Sequence, residues 1–288
     1  HGWASACPPL HRGTATDLRP PVLTETPDTV VDVPTTDRPA LATNFGGGGA
    51  FGYGFNMGIA HGLRAAGLDV VRYPMIGTSA GSHTVATLRT GLDFDGFCDL
   101  WESRVGEQTD GFWGDGYGFS EAAYREVDNP DVSAIAVRLR PRRRVVLRSD
   151  RYPIADITAA SSAAVPVLRP HRIDGVWYAD GGIVSLASGD LTPAADLMLL
   201  VTPFARAGQG VAGWAGARQA RREIASWTRR HGGDVLHVVP TAEMVAFGGR
   251  RLRDIVDIRI GRAVYPLAVQ YAGRVADELR RMNPSLFA

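Results

Sequence analysis

Ile76-Gly77-Thr78-Ser79-Ala80-Gly81-Ser82 is the stretch on which the fold of this sequence turns. The apolar run Val70 to Ile76 before it predicts a strand, and about Ala80 to Thr90 after it predicts a helix. A G-x-S-x-G sequence at such a junction has a physical reason. Glycines at Gly77 and Gly81 leave room for a sharp strand-to-helix turn that lifts the serine hydroxyl out of the sheet. The turn also sets that hydroxyl at a helix N-terminus, where developing negative charge is favoured. The bland alternative is an ordinary glycine turn carrying a surface serine.

Upstream, Leu41-Ala42-Thr43-Asn44-Phe45 predicts a short strand that runs into Gly46-Gly47-Gly48-Gly49, with a helix expected from Tyr53 to Ala66 and Gly67 as its stop. Four consecutive glycines after a strand present backbone N–H groups that no side chain covers. Gly47, Gly48, Gly49 and Ala50 are therefore candidates to hold an oxyanion or a phosphate. Gly47 to Gly52 also satisfies G-x-G-x-x-G, the dinucleotide-binding pattern, but that pattern needs an acidic residue at the end of the second strand. Asp69 precedes the second strand, which ends in the serine turn, so the dinucleotide reading fails. A merely structural glycine loop is the other alternative.

A serine nucleophile needs a base. An α/β-hydrolase would supply an acid and then a histidine downstream of the serine. His83 is expected on the flank of the serine's own helix, His171 and His231 in basic, exposed surroundings, and His237 inside a strand. None has the context of a catalytic base. The better candidate is Asp180 in Tyr178-Ala179-Asp180-Gly181-Gly182, at the end of a strand from Val176, where Gly181 and Gly182 permit a tight turn and close backbone approach.

Taken in order, the glycine loop, Gly77-Thr78-Ser79-Ala80-Gly81 and Asp180-Gly181-Gly182 resemble the signature of the patatin-like phospholipase family. The run Ala159-Ala160-Ser161-Ser162-Ala163-Ala164-Val165-Pro166 adds to the likeness, which spans roughly residues 41 to 205. The resemblance implies an α/β fold in three α/β/α layers around a mostly parallel sheet. It also implies a lipid or phospholipid ester substrate, such as one presented at a membrane surface, and no metal or organic cofactor. By the same resemblance Ser79 attacks the acyl carbonyl, Asp180 takes its proton, and N–H groups around Gly48, Gly49 and Ala50 hold the oxyanion. One position departs: Phe51 stands where the family usually has a basic residue, which leaves a non-catalytic lipid-binding protein as an alternative.

The rest of the sequence sets bounds. All 31 basic residues are arginine, which excludes a Schiff base, a P-loop lysine and a Ser–Lys dyad. The net charge of +1 gives no global reason to expect nucleic acid. Cys7 and Cys98 make neither a disulfide framework nor a zinc site. No apolar run approaches the ~20 residues of a membrane span, so a cytoplasmic or peripheral membrane location is expected, although a chain beginning at His1 tells nothing of its leader.

Residues 1–40, rich in Pro, Thr and Asp, are expected to form an extended arm, with one domain over 41–288: a motif-bearing core to about 205 and a helical region beyond it. Within the helical region, arginine-rich helices at about Trp214 to Arg230 and Gly261 to Arg281 flank a strand at Val235 to Val239. Before it, strands are expected at Ser133–Leu139, Val145–Leu147 and Leu197–Val201, a helical segment at Ile154–Ala164, and Ser120 as an N-cap. The aromatics Phe94, Phe97, Trp101, Phe112, Trp113, Tyr117 and Phe119 suit an acyl channel, contact with a lipid surface or core packing under a long loop.

Overall fold

A computed structural model describes residues 38–106, 116–125, 131–206, 208–248 and 256–288. The expected arm over 1–40 lies outside them except for its last three residues.

The strands are β1 (Leu41–Phe45), β2 (Met75–Thr78), β3 (Ser133–Leu139), β4 (Arg142–Arg148), β5 (His171–Ile173), β6 (Val176–Asp180), β7 (Leu197–Val201) and β8 (Asp234–Val238). They form an eight-stranded sheet in the order β5-β6-β3-β2-β1-β7-β8, with β4 also paired to β3. Pairings from β8 through β7, β1 and β2 to β3 are parallel, whereas those of β3 with β4, β3 with β6 and β5 with β6 are antiparallel. The helices are α1 (Gly49–Ala65), α2 (Ala80–Thr90), α3 (Phe94–Gly106), α4 (Tyr117–Tyr124), α5 (Ile154–Ser162), α6 (Gly210–His231), α7 (Ala242–Phe247) and α8 (Ile258–Met282).

Helices cover both faces of the sheet, and β1 and β7 are accordingly buried at every residue. Alternate residues point to opposite faces. Ala42, Met198 and Leu200 pack with Trp227 and Ala220 of α6 on one side, while Leu41, Phe45, Leu199 and Val201 join the main core with α1 and α8 on the other. The fold is therefore α/β in three α/β/α layers around a mostly parallel sheet.

α1 is buried on nearly every side because Gly54, Gly58 and Gly62, four residues apart, form a ridge against α8. A β-carbon at Gly54 would lie 2.1 Å from the Gly261 carbonyl oxygen, and one at Gly58 only 2.5 Å from the Ala268 Cβ. α1 closes with Gly67 at φ 99°, and Leu68 donates back to the Leu63 carbonyl, the hydrogen-bond pattern of a glycine-terminated helix.

Several boundaries differ from expectation. α1 begins inside the glycine run, four residues before Tyr53, because Gly48 is its N-cap. The second strand is only Met75–Thr78; the Asp69 side chain accepts from Val71 N and folds Val70–Arg72 into a 3-10 turn, and Pro74 lacks the N–H a longer ladder needs. Ser120 is not a cap but a buried residue inside α4. Arg142 to Arg144 belong to β4, so the basic turn shrinks to Arg140-Pro141. β5 and α7 were not anticipated. Phe94, Phe97 and Phe119 are core residues, Phe97 packing against Tyr53, Trp101 and Phe119, which decides those positions for packing; Phe112 and Trp113 lie outside the described residues.

Candidate active site

Two strand ends meet head-on beside β3. β2 runs parallel to β3 with Thr78 opposite Ile135; β6 runs antiparallel with Asp180 opposite Ala136. Both therefore lie along one side of β3 and point their C-terminal ends at each other, one register position apart. Ser79 follows Thr78 directly, so the sheet itself brings the two candidates together. The Ser79 side chain lies close enough to the Asp180 carboxylate to lower its pKa.

Ser79 has φ 54° and ψ −120°, a backbone state L-residues rarely adopt, and it caps α2 without a side-chain capping bond. Strain of this kind costs on the order of 1–3 kcal/mol and persists only where the surroundings impose it. Here they do. A β-carbon at Gly77 would lie 2.1 Å from the Gly81 carbonyl oxygen, and one at Gly81 would lie 1.8 Å from that of Phe45. Only glycines allow α2 to turn back so tightly against β1 and β2. The amides of Ser82 and His83 both point at the Ser79 carbonyl, closing the first turn of the helix.

α5 ties both partners down. The Ser161 hydroxyl accepts from Ser79 N at 3.0 Å and donates to the Ile135 carbonyl at 2.7 Å. Ala163, the C-cap of α5, accepts from Asp180 N at 2.9 Å. The sequence flagged this run through its likeness alone and assigned Ser161 no role; its signal was a hydroxyl pair, Ser161-Ser162, inside a helix of small residues.

Asp180 is 4 % exposed, and burial pushes its carboxyl up from 3.8 to about 6. The nearby Ser79 side chain and the Gly182 amide, which donates to the carboxylate at 2.6 Å, hold it below what burial alone would give. Gly181 packs against β3, where a β-carbon would lie 2.7 Å from the Ile135 carbonyl oxygen. The result is a dry carboxylate poised near neutrality. Ser79 itself is partly exposed, so the pair is reachable.

The glycine loop lies alongside. Phe45 pairs with Gly77, and two residues further a β-carbon at Gly47 would lie 3.2 Å from the Ser79 Cβ. The four loop candidates then divide. Gly47 N donates to the Leu186 carbonyl at 2.8 Å, so it is not free to hold an oxyanion. Gly48, Gly49 and Ala50 are the cap and first turn of α1, whose N–H groups have no intrahelical partner, and the first bond back is Gly52 N to the Gly48 carbonyl. Asn56, wholly buried in α1, donates to the Gly46 carbonyl at 2.9 Å and anchors the loop from behind; a lone amide inside an apolar helix was the sequence signal for it. Phe51 is buried and packs edge-on against Phe204, so it fills the core rather than the site.

No histidine ring hydrogen-bonds Ser79 among the described residues. His83 is buried between Tyr124 and Ser162, 3.2 Å from each hydroxyl, and desolvation pushes its pKa down to about 3. His171, expected to be exposed, is mostly buried and bonds Asp156 at 2.7 Å. His237 lies in β8 and meets the Thr202 hydroxyl at 2.6 Å. His231 is partly buried beside Trp227. No cluster of three or more His, Cys, Asp or Glu fit to hold a metal, and no helix long and apolar enough to cross a membrane, occurs among the described residues.

No family model and no curated protein matches the chain. Among solved structures it is similar to the crystal structure of VipD from Legionella pneumophila, at 13% identity and a TM-score of 0.44, with 84% of this chain and 67% of that one covered. The fold class rests on the strand order above and not on that likeness.

Proposed function

We propose that this protein is a patatin-like serine hydrolase of lipid carboxylic esters, of the phospholipase A or lysophospholipase kind, with residues 41–288 as its catalytic domain. The observation that carries the proposal is the strained Ser79 at the end of β2 set against the buried Asp180 at the end of β6, with no histidine hydrogen-bonded to Ser79 among the described residues.

In this mechanism the Ser79 hydroxyl attacks the acyl carbonyl while Asp180 accepts its proton. The oxyanion is held by N–H groups of the first turn of α1, Gly48, Gly49 and Ala50, supported by the positive end of that helix. The tetrahedral adduct collapses, the ester oxygen leaves with the proton from Asp180, and an acyl-serine remains. Water then attacks the acyl carbon, passing its proton to Asp180, and the carboxylic acid departs as Ser79 is reprotonated. A carboxylate with a pKa near 6 is a better base than an ordinary aspartate, which is why its burial matters.

The test is hydrolysis of a short p-nitrophenyl ester and of a phospholipid by the wild type, Ser79→Ala and Asp180→Asn. Loss of both activities in both folded variants supports the pair. A fully active Asp180→Asn would exclude the aspartate as base, and an inert wild type would favour a lipid-binding protein without catalysis.

A further inference from the structure

α6 carries an exposed face that the chemistry above does not use. Its N-terminal tip presents Val211 and Trp214, 83% and 62% exposed. Behind them on the exposed surface come Arg218, Arg221 and Arg222, none ion-paired among the described residues. Arg218 lies over the Trp214 ring at 5.9 Å. Along a helix, Arg218 sits about 6 Å behind Trp214, and Arg221 and Arg222 about 10–12 Å behind.

The tip of α6 belongs to the edge of the sheet that holds the site. β7 ends at Val201, and the chain then passes through Phe204 to α6. A β-carbon at Gly48 would meet the Phe204 ring at 3.0 Å, and one at Gly216 would lie 1.9 Å from the Phe204 carbonyl oxygen. One residue therefore separates the glycine loop from the second turn of α6. The turn after Asp180 adds two further exposed apolar side chains, Ile183 and Val184.

We propose that this edge docks on an anionic lipid surface, with Val211 and Trp214 entering the interface and Arg218, Arg221 and Arg222 meeting lipid phosphates. Tryptophan suits the boundary between hydrocarbon and water, and arginines set back by one to two turns lie at headgroup depth. The charges select the occupant. A second copy of this chain would bring the same arginines to the contact, whereas an anionic bilayer neutralises them. Docked in this way, the C-terminal ends of the parallel strands face the bilayer and Ser79 opens towards its substrate. The orientation rests on the hydrolase reading; the docking itself does not.

The experiment is co-sedimentation of the full chain, as Ser79→Ala so that no lipid is consumed, with vesicles of phosphatidylcholine alone or mixed with phosphatidylglycerol. Binding is expected only to the mixed vesicles and is expected to fall in high salt. Arg218→Gln, Arg221→Gln and Arg222→Gln together should weaken it roughly 100-fold, at about fivefold per charge. Val211→Ser with Trp214→Ser should weaken it about tenfold or more, while hydrolysis of a soluble short ester by the Ser79-containing chain is unchanged. Equal binding to both vesicle types, or no binding, overturns the proposal. Binding that needs the arginines and ignores Val211 and Trp214 also overturns it, and points to an acidic macromolecule instead. A chain that docks as expected yet hydrolyses no ester would sink the hydrolase reading alone.

Discussion

The Ser161 hydroxyl accepts a hydrogen bond from the backbone N–H of Ser79 and donates its own hydrogen to the Ile135 carbonyl. It thereby links the strained turn to the central strand that aligns Asp180. Without it, the Ser79 amide would be left without its protein acceptor at a residue with φ 54°. Ser161→Ala is expected to lower kcat at least tenfold with KM nearly unchanged, and to cost stability only about 1–2 kcal/mol. Steady-state kinetics beside a denaturation curve decides it. Wild-type kcat in a folded Ser161→Ala chain would remove Ser161 from any positioning role.

The carboxyl of Asp180, raised to about 6 by burial, makes activity depend on pH. In the proposed mechanism only the ionised form accepts the Ser79 proton, so kcat/KM should rise with pH through about 6 and be roughly tenfold lower at pH 5 than on the plateau. His83 does not titrate in that range, because desolvation holds it near 3. A profile flat from pH 5 to 8 would contradict the assignment of the base.

The same shift makes Asp180 a stability liability. Below about pH 4 the carboxyl is protonated in both the folded and the unfolded chain, and stability is greatest with respect to this group. Between 3.8 and about 6 the unfolded chain loses the proton first, so stability falls as pH rises and then levels. Two units correspond to about 3 kcal/mol. Asp180→Asn should therefore be inactive yet at least as stable as the wild type at pH 7, with the gain vanishing towards pH 4. Thermal melts of both proteins across that range test it; a less stable variant at pH 7 would contradict the sign.

His83 provides a control against a hidden triad. It lies one helical turn from Ser79 on α2, yet its ring faces Tyr124 and Ser162. His83→Gln should keep activity within about fivefold, whereas loss of a triad histidine typically costs roughly 10⁴-fold or more. A loss of that size in a folded His83→Gln chain would reopen the histidine mechanism.

How far the sequence disclosed all this follows from where the information lies. β1 and β7 were legible to the residue because each is a five-residue segment bounded by turn formers, β7 wholly apolar and β1 running straight into four glycines. Ser79 and Asp180 were legible because close approach forces glycines around them. Their meeting was legible only through the resemblance, since it depends on β2 and β6 sharing one side of β3, a long-range register that no local pattern encodes. Gly47 shows the same limit: its N–H looked available in the sequence, and the pairing with Leu186 that removes it comes from a loop over a hundred residues away. α3 and the first turn of α4 were read as a long loop, with a helix only from Ser120, because their glycines and acidic residues mask the helical period.

The ridge of glycines on α1 yields the last prediction. α1 presents its first-turn N–H groups to the site, and α8 fixes its position from behind through backbone contact. A methyl at Gly58 would lie 2.5 Å from the Ala268 Cβ and 2.6 Å from the Tyr265 carbonyl oxygen, so one helix must move. The better helix propensity of alanine, about 1 kcal/mol, opposes an overpacking cost of roughly 1–3 kcal/mol. The carbonyl contact is backbone and cannot rotate away, so the cost should prevail. Gly58→Ala is expected to lower Tm by a few degrees, at about 2–4 °C per kcal/mol for a chain of this size. Ala268→Gly in the same chain removes the methyl but leaves the carbonyl, so it should restore only some of the loss. Scanning calorimetry of the two single variants and the double variant measures that coupling, and strict additivity would show that α1 and α8 do not meet at this point.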